Sequence, residues 1–543
     1  MTVGTAPIAS APIRPARSRT GLAAGRLLRL EFKRNAMIWL IPVAVGLFWF
    51  DCYRQSVAEP AMWNLRTMNM QGQALLDFVP SVVGAAAWMG SREARRGLTD
   101  LTGITARPRW FRQLAVWAAT TGWALAAYAG CMAVLYGMTA HQAHWGGPLL
   151  WPATVAAVGL PALAAVGFAI GTAWPSRFTA PLAVVVVFFA LGLSSQFARG
   201  SSSYFQVSPG LSGANDVGPD PSIATFYHYL PDLPIAQVMF LVGLTVAVLA
   251  AIGIPAGSGG QWLRRSAAIL TACGLAAAGT AVYLTGTARL DVHGMIAIPA
   301  LHDAASNRPI RYTPVCARTA IPVCLNPAYA AYLADVRTAL APALSELAGL
   351  PGAPASISQA ATIFHQEQAN QVLINGGNLR IVKGRGGRQS MALVLPDQLP
   401  GEPSSPVYTN DDFIVQIYEL SPPLIDRVIS GTRRRRLGVA ALTGPDAEQA
   451  VIIGLVTAAR TATLTRIIRQ ANMIQVAPDV PSSLAIISAG RPPGGQLPQV
   501  RLPAGVQAAA GRFAALPAAT RHAWLVGHLS ALRAGRITLA QLP

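Results

Sequence analysis

Seven apolar runs occur in the first 290 residues of the chain, and each approaches the roughly 20 residues that a helix needs to span a bilayer. They lie at residues 36–53, 73–90, 114–137, 149–173, 178–195, 235–254 and 267–287. Only 12% of the 543 residues are charged, against about 25% in soluble domains. These features exclude a single soluble fold. They predict a polytopic α-helical membrane domain over residues 36–288, with about seven spans.

The placement of the basic residues predicts how this domain is oriented. A net charge of +19 is typical of nucleic-acid-binding proteins, but here the Lys and Arg residues of the first half lie between apolar runs, so we expect no nucleic-acid partner. With the N terminus in the cytoplasm, sixteen of them fall inside, and only Arg54, Arg66 and Arg199 lie outside. An odd number of spans then carries the chain beyond residue 288 to the outside of the cell membrane. Six spans with an internal C-terminal domain is the alternative.

Two short segments precede the first apolar run. Residues 1–20 are rich in Ala, Pro, Arg and Ser and have no apolar core, which predicts a disordered cytoplasmic tail and not a signal peptide. Residues 21–35 mix leucines with Arg26, Arg29 and Lys33, a pattern typical of a basic amphipathic helix at the membrane surface.

Residues 289–543 have a different pattern, which predicts a mixed α/β extracytoplasmic domain. Helical patterns predict helices at residues 328–350, 445–470 and 518–533. Alternating or continuously apolar runs predict strands at residues 371–374, 379–382, 391–395 and 413–420. The predicted fold class is therefore an α-helical polytopic membrane domain followed by a mixed α/β domain.

The cysteines divide into two groups. Cys316 and Cys324 lie eight residues apart in a polar, proline-containing stretch, which predicts a local disulfide and hence an oxidising compartment. A metal pair is the alternative, but no other Cys or His nearby has ligand spacing, so we expect no bound metal. Cys52, Cys131 and Cys273 lie in or beside apolar runs, where we expect small buried apolar residues.

The stretch from residue 78 to residue 117 contains most of the candidate functional residues. An apolar run ends in small residues, and a polar turn with Glu93, Arg95 and Arg96 precedes the next run. One interpretation is an interfacial loop whose arginines follow the positive-inside rule. The other is a cytoplasmic docking element, in which a short helix presents charge to a partner protein.

Two further features lie inside the apolar runs. Asp77 is an ionisable residue within the run at 73–90 and is therefore a functional candidate. It lies about one turn from the predicted outer end of that run, so we expect it to be exposed at the membrane interface. Gly167 and Gly171 have the spacing that permits close approach of two helices.

The stretch at 78–117 resembles the membrane subunits of ATP-binding-cassette exporters of the second exporter-type class, especially actinobacterial permeases. Glu93 and Gly97 fit the turn that follows the second span in that family, and Arg107 and Trp110 fit the approach to the third span. The resemblance extends over about residues 21–290. A seventh span and a large outer domain depart from the six spans usual in the family, and Leu stands at position 98 where Thr is commoner.

The resemblance implies a permease-like subunit that moves a hydrophobic or amphiphilic cargo. ATP would be hydrolysed by a separate cassette ATPase, and the membrane subunits would form a homodimer or heterodimer. The implied docking residues are Glu93, Arg95, Arg96, Gly97, Arg107 and Trp110.

The chain contains no motif for hydrolysing ATP itself. No G-x-x-x-x-G-K-[ST] sequence occurs, so no loop has the residues that wrap phosphates in a P-loop. The predicted outer domain contains neither a G-x-S-x-G nor an H-E-x-x-H motif, and we expect neither an enzyme nor a bound cofactor. The alternative function is a membrane-anchored extracytoplasmic binding or sensory protein without transport activity.

Overall fold

The computed structural model describes residues 19–97, 109–198, 202–210, 223–254, 261–291, 295–360, 379–383, 389–395, 399–400, 408–431, 445–471 and 502–543. Most of the predicted tail, the candidate residue Arg107 and the predicted strand at 371–374 lie outside these ranges.

Helices follow one another through the N-terminal half. They are α1 (Arg19–Lys33), α2 (Met37–Phe48), a π-helical turn (Trp49–Tyr53), α3 (Arg54–Ala58), α4 (Trp63–Gly90), α5 (Arg92–Arg95), α6 (Arg109–Gln142), α7 (Leu150–Ala173), α8 (Thr179–Phe197), α9 (Ile223–Phe226), α10 (Asp232–Gly253) and α11 (Gln261–Gly286). Helix α1 confirms the helix predicted over residues 21–35. It packs on α6, where the rings of Phe32 and Trp123 lie 6.0 Å apart.

Within the described ranges, five single segments are long and apolar enough to span a membrane, and they lie at five of the seven predicted spans. They are Met37–Ala58, α6, α7, α10 and α11. The other two predicted spans are also helical. Helix α8 is apolar over the shorter stretch Thr179–Ser194. Helix α4 has 28 residues, a length of about 42 Å, but its first half is polar.

The polar character of α4 follows from its position in the bundle. Helices α2, α6, α7 and α8 all pack against it, so that its side chains meet protein on several sides. Small residues allow α7 to approach closely: a Cβ atom at Gly167 would lie 2.8 Å from the carbonyl oxygen of Val83. A Cβ atom at Gly171 would collide with the carbonyl oxygen of Ala87, which confirms the predicted close helix approach.

The long helices alternate in direction, so the two ends of the bundle differ. At the end that carries α1, the Trp110 Nε1 of α6 donates a hydrogen bond of 2.9 Å to the carbonyl oxygen of Leu249, near the end of α10. At the opposite end, Arg66 in the first turn of α4 reaches Thr139 in the last turn of α6. The C-terminal region begins at this second end. We call the two the α1 end and the domain end.

The C-terminal region combines small sheets with helices, as predicted. Its strands are β1 (Arg289–Leu290), β2 (Ile296–Ala297), β3 (Val315–Ala317), β4 (Val323–Leu325), β5 (Ile357–Gln359), β6 (Leu379–Lys383) and β7 (Gln389–Leu393). Its helices are α12 (Leu333–Leu347), α13 (Asn410–Tyr418), α14 (Ser421–Ser430), α15 (Asp446–Ala459), α16 (Ala462–Gln470), α17 (Ala504–Ala515) and α18 (Ala518–Arg533). Strands β1 and β2 pair with each other, and the larger sheet has the mixed order β3-β4-β5-β7-β6.

Several predicted elements of this region are confirmed, and one is wrong in type. Strands β6 and β7 lie at the predicted positions, and α18 has the predicted bounds. The apolar run at 413–420 was expected to form a strand, but it forms helix α13. Thr409 and Asp412 form a capping box there: the Thr409 Oγ1 accepts from the Asp412 amide, and the Asp412 carboxylate accepts from the Thr409 amide.

Two predicted helices differ from the structure in extent. The helix predicted at 328–350 is the shorter α12, preceded by a 3-10 segment at Pro327–Tyr332. The single helix predicted at 445–470 is two helices, α15 and α16, bent by 81° at the break between them. Helix α15 is nearly all buried and lies in the core of the C-terminal region.

The core of the C-terminal region extends onto the bundle. Met62, before α4, and Phe226, at the end of α9, belong to the same buried cluster as the residues of α12 to α18. The Ile310 amide donates a 2.7 Å hydrogen bond to the carbonyl oxygen of Phe226. Tyr312 packs edge-on against the Phe226 ring, with centroids 5.8 Å apart. The C-terminal region therefore packs directly on loops that lead into α4 and α10.

Candidate functional site

A cavity of about 690 Å³ at the α1 end contains several of the predicted docking residues. The end of α1, the start of α2, the end of α4, helix α5 and the first turn of α6 surround it. Its charged lining residues are Glu31, Arg34, Arg92, Glu93, Arg95, Arg96 and Arg112. We call it the arginine cavity.

One wall of the arginine cavity is fixed by an ion pair between α1 and α5. Glu31 is 6% exposed, and its carboxylate accepts two hydrogen bonds from the Arg92 guanidinium, at 2.9 and 3.1 Å. Such a two-point pair sets orientation as well as distance. The pair ties the surface helix α1 to the end of α4, because α5 follows α4 after a single residue. Sequence reasoning missed both residues, although Glu31 is the one carboxylate in the stretch 21–35.

A second ion pair spans the connection between α5 and α6. The Glu93 carboxylate lies 3.4 Å from the Arg109 Nε, and both side chains are partly exposed. Trp110, another of the predicted docking residues, is half-buried and contacts α10. Its indole bonds to Leu249, and the ring packs against Gly253 at the end of α10. Trp110 therefore links the connection to α10.

Arg95 is held against the end of α4, whereas its two successors are exposed. The Arg95 guanidinium lies 3.5 Å from the centre of the Trp88 ring and donates hydrogen bonds to the Ser91 Oγ and the Trp88 carbonyl oxygen. Desolvation, with a smaller contribution from the Arg96 charge, lowers the pKa of Arg95 below its usual range. Gly97 ends α5 in a left-handed conformation, with a φ of 64°, that favours glycine. Arg96 and Gly97 are exposed.

Asp77 lies elsewhere, inside the bundle. The prediction of interfacial exposure is wrong: α4 begins at Trp63, ten residues before the predicted run, so Asp77 falls at mid-helix and is 6% exposed. Its Oδ2 atom is buried without a hydrogen-bond partner. The neighbouring carboxylate is Asp51 in the π-helical turn, which accepts hydrogen bonds from Gln55, at 2.6 Å, and from Gln73.

Asp51 was not singled out from the sequence, because the aromatic residues before it mark the end of an apolar run. The position of Asp51 within a π-helical turn is nevertheless notable, since such turns are frequent at functional sites. The described residues contain no group of three or more His, Cys, Asp or Glu side chains that could hold a metal ion.

The predicted cysteine pairing is confirmed. Cys316 and Cys324 are directly opposite each other on β3 and β4 and form a disulfide. Cys52 and Cys131 are buried, as expected. Cys273 is exposed, contrary to expectation, because it lies on the outer face of α11 at the edge of the bundle.

Comparison with known proteins adds no assignment. The chain matches no protein family model, no curated protein and no solved structure.

Proposed function

We propose that the chain is the permease-like membrane subunit of a cassette transporter, which moves a hydrophobic or amphiphilic cargo with energy from a separate ATPase. The observation that supports this proposal best is the connected charged surface at the α1 end. There the Glu31–Arg92 and Glu93–Arg109 pairs join α1, α5 and α6 into one mechanical unit. A membrane subunit driven from outside the bilayer needs such a unit.

A movement of this surface by the ATPase can be transmitted to the bundle through two sets of contacts. Through Arg92 and Glu31 it reaches α1, which packs on α6 through Phe32. Through Trp110 it reaches α10, whose start lies at the domain end. ATP binding by the partner would thereby move α1, α6 and α10. In this proposal the exposed Arg96 and Gly97 meet the ATPase, and Trp110 transmits the motion.

The proposal is tested by reversing the charge of Glu93. In the Glu93→Arg variant the new guanidinium faces Arg109, and like charges at a docking surface cost several kcal/mol. We expect normal membrane insertion, because the variant adds positive charge at the α1 end, but at least a tenfold loss of co-purified ATPase. The measurement is quantitative mass spectrometry of affinity-purified material from mild detergent.

The double variant Glu93→Arg/Arg109→Glu is the matched control, because it restores an ion pair with the charges exchanged. Recovery of the co-purified ATPase in this variant would indicate that Glu93 acts through its ion pair with Arg109, which holds α5 near α6. Continued loss would place Glu93 in direct contact with the ATPase. Full ATPase retention by Glu93→Arg alone would contradict the docking role.

A second function is favoured by a different observation. Met62 and Phe226 lie in the core of the C-terminal region, so a ligand bound there would act directly on the starts of α4 and α10. A membrane-anchored binding or sensory protein would use this contact without an ATPase. Purification of the full chain with no cassette ATPase, together with a kinase or regulator, would favour this function.

A further inference from the structure

The arginine cavity has an excess of positive charge after its internal ion pairs are counted. Five arginines and two carboxylates line it. Glu31 pairs with Arg92 of the lining, and Glu93 pairs with Arg109, which is not among the lining residues. Arg34 and Arg96 are exposed and have no carboxylate partner among the described residues. Several cations around one concave space repel each other, and an anion in that space relieves the repulsion.

The rim of the arginine cavity has the composition of a membrane interface. Trp39, in the first turn of α2, is 83% exposed, and Trp88, near the end of α4, is 44% exposed. Leu30 of α1, on the same rim, is also exposed. Tryptophan is enriched at the level of the lipid headgroups. The cavity therefore lies where apolar helix surface changes to charged surface.

We propose that the arginine cavity binds the phosphate group of an anionic phospholipid, held between α1 and the end of α4. Guanidinium groups bind phosphate through two parallel hydrogen bonds and are favoured for this reason at phosphate sites. A cavity of about 690 Å³ lies within the usual range for small-molecule sites. The acyl chains would extend along the exposed faces of Trp39 and Trp88. Basic pockets between membrane helices bind lipid headgroups in this way.

Orientation alone does not account for this arrangement. The positive-inside rule asks only that arginines lie on the cytoplasmic side, and Arg264 and Arg265 meet that requirement on the exposed first turns of α11. By contrast, the arginines of the arginine cavity come from the α1, α5 and α6 regions and line a single space. This inference does not rest on the proposed transport function, because lipid binding is measured on the isolated chain.

The test uses native mass spectrometry of the delipidated full chain in detergent. Phosphatidylglycerol and phosphatidylcholine with identical acyl chains are added separately, and phosphatidylglycerol is also added with excess inorganic phosphate. The variant Arg34→Gln/Arg96→Gln removes two charges from the cavity without breaking an ion pair, so its fold should persist. Arg264→Gln/Arg265→Gln removes two charges from the same end of the bundle and is the matched control. Circular dichroism verifies that both variants are folded.

We expect phosphatidylglycerol to bind at least tenfold more tightly than phosphatidylcholine, and the cavity variant to lose that preference while the control keeps it. Equal losses in the two double variants would overturn the proposal, because they would indicate a general charge effect. Displacement of the lipid by millimolar inorganic phosphate would also overturn it, since the site would then be one for free phosphate. Equal binding of phosphatidylglycerol and phosphatidylcholine by the unaltered chain would overturn the proposal as well.

Discussion

At the scale of single residues, α4 carries one carboxylate, Asp77, inside the bundle. Asp77 has one carboxylate oxygen without a hydrogen-bond partner and has Asp51 as a neighbour. Asp51 itself is compensated, since the side-chain amides of Gln55 and Gln73 donate to it. Leaving a buried polar atom unsatisfied costs about 1–3 kcal/mol, and two adjacent carboxylates add repulsion. A native protein that retains such a residue gives up stability at that position.

Replacing Asp77 by asparagine should therefore stabilise the protein by about 1–3 kcal/mol. The amide group removes the like charge and supplies a donor that can face Asp51. The matched variant Asp51→Asn removes the same repulsion but weakens the two charge-assisted hydrogen bonds to Asp51, so it should stabilise less than Asp77→Asn. Thermal unfolding of the purified chain, followed by tryptophan fluorescence, measures both. A lower midpoint for Asp77→Asn than for the unaltered chain would show that the carboxylate makes a stabilising contact.

The sequence was informative about some of these residues and misleading about others. The disulfide between Cys316 and Cys324 was predictable, because the two cysteines lie eight residues apart in a polar stretch and no other Cys or His nearby has metal-ligand spacing. The burial of Asp77 was not predictable from hydropathy, since polar residues before it concealed the start of α4. The inward direction of Trp110 depends on α10, which lies more than a hundred residues away in sequence.

At the scale of elements, the error at 413–420 has a physical reason. This run is buried on all sides as helix α13, so it has neither the period of an amphipathic helix nor that of a half-buried strand. The local signal was the capping box at Thr409 and Asp412, which marks a helix start regardless of the pattern that follows. The start of α4 was missed for a different reason. A central helix of a membrane bundle can carry polar residues that a lipid-facing helix cannot, so hydropathy does not mark where it begins.

A buried ion pair joins the last long helix to the first helix of the C-terminal region. Arg521 of α18 and Glu346 of α12 are each 6% exposed and are bonded to each other. The Arg521 guanidinium also donates to the carbonyl oxygens of Ala514 and Leu516, which end α17. A single side chain thus connects three helices.

We expect Arg521→Ala to destabilise the C-terminal region by about 3–5 kcal/mol, because it leaves Glu346 buried and unpaired. Arg512→Ala, at an exposed position on α17, is the control and should change stability by less than about 0.5 kcal/mol. The double variant Arg521→Met/Glu346→Met should cost less than Arg521→Ala, since no charge is left buried. Denaturant unfolding of the full chain in detergent checks all three. Equal stability of Arg521→Ala and Arg512→Ala would contradict a buried pair.

At the scale of the whole molecule, the ends of the bundle carry different chemistry. The α1 end gathers arginines around a cavity, and the domain end carries a region with a disulfide. The alternation of helices that produces these two ends was predictable from the number of apolar runs, because each run reverses the chain. The packing of the C-terminal region on Met62 and Phe226 was not, since those contacts join segments far apart in sequence.

The orientation of these two ends in the cell is the remaining prediction. The positive-inside rule predicts that the α1 end lies in the cytoplasm, and the disulfide predicts that the domain end lies in an oxidising compartment. The α1 end and the domain end are opposite ends of one bundle, so both predictions are met by the same orientation. Single cysteines at exposed positions test both at once: Arg265→Cys at the α1 end and Arg536→Cys in the C-terminal region. The background carries Cys273→Ala, because Cys273 is the exposed natural thiol, while Cys52 and Cys131 are buried.

A membrane-impermeant maleimide added to intact cells should label Arg536→Cys and leave Arg265→Cys unlabelled. Both positions should react after the membrane is permeabilised, which controls for local accessibility. Cys316 and Cys324 are kept in the background, because their disulfide leaves no free thiol for the maleimide to label. Labelling of Arg265→Cys alone in intact cells would contradict the orientation, and would place both the arginine cavity and any lipid bound there in the outer leaflet. The C-terminal region would then lie in the reducing cytoplasm, where the Cys316–Cys324 disulfide is not expected to persist.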